Sequence, residues 1–285
     1  MSFVQRQISV QLSTDTQTFD LEGLKVSVII SQFGGSLGQG QMQMSVWGMS
    51  LDQMNELSSV GSVPAVVTSN SVTVSAGDVD GKMTQVFYGT IVRSFPDFSG
   101  SPDVCFTVTA TAGYYQKAQT LAAKHYAGSN NAETIIEALA ESAGLVFSNP
   151  NNVHVVIRDQ YLYGSAVSQI TQVAQAAAIP VEIANGTVTI WPNNGVRDSV
   201  EIDLGPDTSP QLVGYPTYYE AGFIVTSQFN PLMLGGRNVN LTSSIPKANG
   251  TFPIQTVTHQ LSTLTADGPW FTTCRLSPPP YVPAN

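Results

Sequence analysis

Residues able to do chemistry are few in this chain, and their spacing excludes most of what they might do. The three histidines, His125, His154 and His259, have no neighbouring Cys, Asp or His at metal-ligand spacing. No His-Glu-x-x-His occurs either, so no zinc site is indicated. A Ser-His-Asp arrangement would need a Gly-x-Ser-x-Gly elbow after an apolar strand; Gly164-Ser165-Ala166 offers neither. Glu133, Glu137 and Glu141 fall at i, i+4 and i+8, the spacing of a solvated helix face. Asp198, Glu201, Asp203 and Asp207 cluster as an acidic rim or a cation site, and Asp78 and Asp80 sit in a turn, GDVDG. Glycoside hydrolysis depends on carboxylate separation in space, so such an enzyme stays open. The Gly-rich FGGSLGQG at Phe33–Gly40 lacks the Gly-Lys-Ser/Thr of a phosphate loop. No motif carries an enzyme, and no cofactor or metal is expected.

Composition narrows the classes further. Of 285 residues only 11% are charged, less than half the usual share of about 25%. Solubility therefore rests on Ser, Thr, Asn, Gln and Gly. The formal net charge is −9, the wrong sign for a protein that holds nucleic acid through Lys and Arg on phosphates. Sequence-specific nucleic-acid binding is not expected. Cys105 and Cys274 make no disulfide framework and no Cys-x-x-Cys; both read as core residues. MSFVQRQISVQL has no apolar h-region, so a signal peptide is not expected, and the Asn-x-Thr sequons at Asn185, Asn240 and Asn249 carry little weight. The longest uncharged stretch, Gln160–Val181, is rich in Gln, Ser and Thr and contains Pro180; membrane insertion is not expected.

The elements that must position these residues are mostly strands. Leu24, Val26, Val28 and Ile30 alternate with polar or small neighbours, and Met42, Met44 and Val46 continue the pattern. Leu51, Met54 and Leu57 predict a helical turn over Ser50–Ser58. Val72–Ser75, Gln85–Ser94 and Val104–Ala110 read as further strands. Residues 1–113 are thus predicted to be a closed or nearly closed β-barrel.

From about Tyr114 the pattern changes. Ile136, Leu139, Ala140 and Ala143 share one helical face, closed by Gly144. Leu145–Ser148 and Val153–Ile157 then predict a hairpin about Asn149–Asn152. Ile170, Val173, Ala174 and Ala177 define a second helix, and Val181–Ala184 and Thr187–Trp191 a second hairpin about Asn185-Gly186. A shift of 34 residues superposes Ile136 on Ile170, Leu139 on Val173 and Asn151 on Asn185. Residues 114–200 therefore read as an α/β module of two helix–hairpin repeats. Within it Gln116–Ser129 is ambiguous, leaning to extended. After the linker Asp203–Pro216, strands are predicted at Phe223–Gln228, Arg237–Leu241, Gln255–Leu261 and Trp270–Leu276, a second β unit spanning 201–285. The fold class is mixed β and α/β.

Several segments carry a family resemblance: AETIIEALAESAGLVFSN, TVTIWPNNGVR, VGYPTYYEAGFIVTSQFNP, GGRNVNLTSSIPKANGTFPIQTVTHQLST and DGPWFTT, with GLKVSVIISQFGG, GQMQMSVWGMSLDQMNELS and VFYGTIV earlier in the chain. In order and spacing the chain resembles the baseplate hub proteins of tailed bacteriophages, which are similar to type VI secretion spike hubs. The resemblance implies two tube-like antiparallel β-barrels flanking the α/β module. It also implies a homotrimer whose six barrels form a pseudo-sixfold ring, joining the hexameric tail tube protein to a trimeric spike or central fibre protein. Other baseplate proteins would surround it, DNA would pass through its channel, and it would reside in the virion tail baseplate after assembly in the host cytoplasm. A channel that passes DNA gains from an acidic lining, so Asp78, Asp80, Asp97, Asp198, Glu201 and Asp203 are expected to face a lumen. The rival is a carbohydrate- or receptor-binding virion protein with Tyr114, Tyr115, Tyr161, Tyr163, Tyr218 and Tyr219 as sugar platforms.

Overall fold

Alternation of apolar and polar side chains builds most of the chain into strands. The computed structural model describes residues 5–15, 17–35, 39–58, 69–79, 81–219 and 222–277. Its first third holds β1 (Arg6–Ser13), β2 (Thr18–Leu21), β3 (Lys25–Phe33), β4 (Gln41–Trp47), α1 (Leu51–Leu57), β5 (Ser71–Asp78), β6 (Thr84–Asp97) and β7 (Cys105–Thr111). The middle holds α2 (Tyr114–Ala118), β8 (Lys124–Asn131), α3 (Ala132–Ser142), β9 (Val146–Ser148), β10 (Val156–Leu162), α4 (Ala166–Ala176), β11 (Val181–Ala184) and β12 (Thr187–Ile190). The last third holds β13 (Glu201–Leu204), β14 (Thr217–Tyr219), β15 (Gly222–Gln228), β16 (Asn238–Leu241), β17 (Gly250–Thr263) and β18 (Trp270–Leu276).

Strand pairing departs from the two barrels predicted. Thirteen strands form one sheet, in the order β14-β15-β18-β17-β3-β4-β7-β6-β5-β1-β2, with β16 attached to β17 and β13 to β16. The path is open, and no closed barrel is found among the described residues. The reason is the antiparallel β3–β17 pairing, from Phe33 opposite Thr256 to Val26 opposite Thr263. Alternation shows which face of a strand is buried; it is silent on which strand pairs with its edge.

Three hydrophobic clusters lie under this framework. The first packs Val26, Val28 and Ile30 of β3 against Met42, Met44 and Val46 of β4 and Phe106 and Val108 of β7; it also takes in Leu261 and Trp270 from the last third. The second joins the inner faces of α3 and α4 to Val181, Val188 and Ile190. The third gathers Leu204, Val225, Val239, Val257 and Cys274.

In the middle third both helices and the second hairpin form as predicted, and the first hairpin does not. Ile136 and Ile170 are both fully buried, and the Ser165 side chain caps α4 by accepting from the Ser168 N–H. Asn185 (φ 52°) and Gly186 (φ 75°) make the predicted two-residue turn between β11 and β12. The first hairpin does not form. β9 instead runs parallel to β12, and β10 pairs antiparallel with β8. Asn149 explains the difference: its side chain accepts from the Val153 N–H at 2.8 Å and donates to the Val153 carbonyl at 3.1 Å, holding 149–153 as a loop. The ambiguous stretch resolves as a short helix, α2, followed by the extended β8. The first two residues of the predicted linker Asp203–Pro216 belong to a strand, since β13 (Glu201–Leu204) pairs in parallel with β16.

Candidate functional site

The acidic residues expected to converge fall into two groups. Asp78 ends β5, exposed and opposite Arg6. Asp97 ends β6 opposite Cys105; hydrogen bonds from the Ser99 side chain and backbone hold its carboxyl below the ordinary value. Asp80 lies outside the described residues. In the second group, Asp198 is engaged by Arg237, whose Nε lies 2.9 Å from Oδ1 and whose Nη2 lies 2.7 Å from Oδ2. That two-point pairing neutralises its charge locally. Glu201 and Asp203 share the exposed face of β13, where the Asn240 amide donates to both at 3.3 and 3.1 Å. Asp207 is exposed nearby in sequence.

The histidines differ from each other. His259 is fully buried in β17, its Nδ1 2.9 Å from the Thr272 hydroxyl and its ring edge-on to Phe229. Burial pushes its pKa down to about 4. His154 is not in a strand as predicted; it stands in the exposed loop before β10, with Nδ1 2.7 Å from Glu133 Oε1. This corrects the reading of Glu133 as a solvated position: it is buried, while Glu137 and Glu141 are exposed. Burial alone would raise the Glu133 carboxyl, but the His154 hydrogen bond and nearby backbone N–H groups bring it below the ordinary value. His125 is exposed on β8. Cys274 is buried and its thiol is pushed up to about 12, which leaves it unreactive. No group of three metal-ligating side chains occurs among the described residues. No described helix is long and apolar enough to cross a membrane. Tyr161, Tyr163 and Tyr218 are exposed, with the Tyr161 and Tyr163 rings 6.2 Å apart.

Residues that sequence reasoning missed form the junction of the three cores. Glu182 on β11 and Arg197 make a buried ion pair. Arg197 also donates to Thr189 at 3.1 Å, and its guanidinium lies 5.5 Å from the centre of the Trp191 ring. Burial raises the Glu182 carboxyl, and the Arg197 charge only partly offsets this. Gly34, at the end of β3, and Gly235 are in such close contact that a Cβ on either would overlap the other's backbone. Gly236, at φ 83°, packs on Trp191. Only the GG pairs at 34–35 and 235–236 hinted at this approach in the sequence. The arrangement fixes the α/β module to the sheet.

The family model described as Baseplate hub gp41 matches residues 7–275. A tail protein from Neisseria meningitidis MC58 superposes with a TM-score of 0.64 at 10% identity, covering 94% of this chain and 96% of that one. The 43 kDa tail protein of prophage MuSo2 from Shewanella oneidensis gives 0.63 at 8% identity, with 95% and 97% covered. The E. coli c3393 protein gives 0.57 at 11% identity, with 95% and 77% covered; it is described as a type VI secretion component structurally similar to the T4 tail proteins gp27 and gp5. At such identities these likenesses speak to fold alone. No curated protein sequence matches the chain.

Proposed function

Given that the chain belongs to the baseplate hub gp41 family, a structural component of a phage tail, we propose that it is the trimeric hub of that tail. Three chains present six β units in a pseudo-sixfold ring, which connects the hexameric tail tube to a trimeric spike or central fibre and surrounds the path of the DNA. The observation that carries this reading is the β3–β17 pairing. It fuses two β units, each over its own hydrophobic cluster, into one sheet, so each chain supplies two contact modules in fixed relation. A threefold assembly can match a sixfold partner only by such duplication. The low charge content suits surfaces that become subunit interfaces, where Lys and Glu are depleted.

The test is the native mass of the purified chain by light scattering, with negative-stain images of the same peak and copy number in purified virions. Three chains in a ring with a central hole, and three copies per tail, are expected. A virion copy number other than three, or a monomer that stays monomeric when mixed with its spike protein, would overturn the trimer.

A further inference from the structure

Six adjacent strands of the sheet, β15-β18-β17-β3-β4-β7, contain no aspartate or glutamate. Alternate residues on them fill the cores; the others point outward, and their register lines them up across the strands. One row runs Thr226, Thr273, Thr258, Ser31, Gln41, Thr111. The next repeats the chemistry with Gln260, Gln43 and Thr109, broken by Phe271 and Ile29. None of these side chains is buried. Hydroxyls bond across strands, Thr226 to Thr273 at 3.1 Å and Ser31 to Thr258 at 3.4 Å. The face spans both β units because β3 and β17 are paired.

Its two cations are laid flat. Lys25 lies 4.7 Å from the centre of the Trp47 ring and Arg275 4.6 Å from that of Tyr219. A water-facing surface is ordinarily about a quarter to a third charged, whereas the core of a protein interface is enriched in aromatic and apolar side chains. This face is neither. Hydroxyls and amides keep a layer of water, offer a phosphate backbone almost no free cation to bind, and offer no carboxylate to repel it. Affinity for DNA comes mainly from cations that displace its counterions, so a duplex moving along this surface gains nothing by stopping.

We propose that this uncharged hydroxyl and amide face is the wall of the DNA channel. The inference rests on the trimeric hub reading, and it places the lining on these six strands and not on the acidic residues Asp198, Glu201 and Asp203. Thr258→Lys, Gln43→Lys and Thr109→Lys, singly and together, are introduced into the phage. The control carries Thr134→Lys, Asn193→Lys and Ser199→Lys, exposed positions off this face, with the same change in charge. DNA release from purified virions is followed after heating, at low and high salt. The triple face variant should release DNA roughly tenfold more slowly at low salt and recover at high salt, because each phosphate contact adds about 0.9 to the salt slope. The control should match wild type. Equal release from face and control variants overturns the proposal. So does failure of the single face variants to form tails when the control forms them, since the face would then be a packed interface. Absence of the wild-type chain from virions, or a copy number other than three, would instead sink the hub reading itself.

Discussion

His259 is held neutral inside β17, and that has a measurable cost in acid. Its folded pKa of about 4 lies below the ordinary 6.5. Between those values the unfolded chain binds more protons than the folded one, so stability is full above about pH 6.5 and is lost as pH falls toward 4. The expected loss between pH 7 and 4.5 is about 2–3 kcal/mol. Urea denaturation at the two pH values should show the difference shrinking by about 2 kcal/mol in His259→Gln. The Glu182–Arg197 pair makes a second prediction. Arg197→Met strands a buried carboxyl and should cost about 3–5 kcal/mol, whereas the double variant Glu182→Leu/Arg197→Met should recover much of the loss; chemical denaturation measures both. Neither behaviour was fully legible in the sequence. His259 alternates in phase with Val257 and Leu261, so period two places it inward, but the completeness of its burial comes from long-range packing; His154, flanked by Val153 and Val155, is left in an exposed loop. Glu182 and Arg197 are separated by a hairpin and a loop, and no spacing rule pairs them.

Element boundaries were far more legible. β3, β4, β7, β15 and β18 follow from period-two alternation, and α3 and α4 from their apolar faces, because burial on one side is a local property of the pattern. The failure at Val146–Ile157 shows the limit. Two short apolar runs about an Asn-rich turn describe a hairpin equally well as two strands that find partners elsewhere, and here β12 and β8 supply the ladders. Close approach between elements is likewise invisible until the backbone is placed. Gly34→Ala should therefore be far more damaging than a turn glycine usually predicts. The added methyl meets the Gly235 backbone, not a side chain that can swing away. A loss of at least the ~3 kcal/mol at the upper end of overpacking is expected, read as a drop in Tm. Gly144→Ala, where nothing lies within 4 Å and only the positive φ is strained, should cost about 1 kcal/mol.

At the scale of the molecule, the residues suggested two β units around an α/β module and a closed or nearly closed barrel for the first of them, and the family resemblance supplied the second barrel. The continuous sheet was not foreseen, since β3 and β17 carry no signal that they are partners. Nor was the neutral face: the acidic composition drew attention to the carboxylates, while the surface common to both β units is made of the residues that composition analysis treats as filler. The hub reading makes a further prediction at this scale. Because the face lacks carboxylates and its cations are stacked on rings, the isolated wild-type chain should show no measurable retention of duplex DNA at physiological salt. Electrophoretic mobility shift at increasing protein concentration checks this, and a salt-sensitive shift would contradict it.

The same β3–β17 pairing also governs how the protein can be made. The Val26 N–H and the Thr263 hydroxyl that accepts from it are 237 positions apart. During synthesis at about 5–20 residues per second, β3 therefore waits roughly 10–50 s for its partner to leave the ribosome. Throughout that time one edge of an apolar-backed strand is open, the circumstance in which chains pair with their neighbours. A strand order that gives each chain a rigid double module thus delays its central seam until nearly the whole chain has been translated. Nascent chains truncated before β17 should accordingly be aggregation-prone, and the full-length protein should fold slowly for its stability.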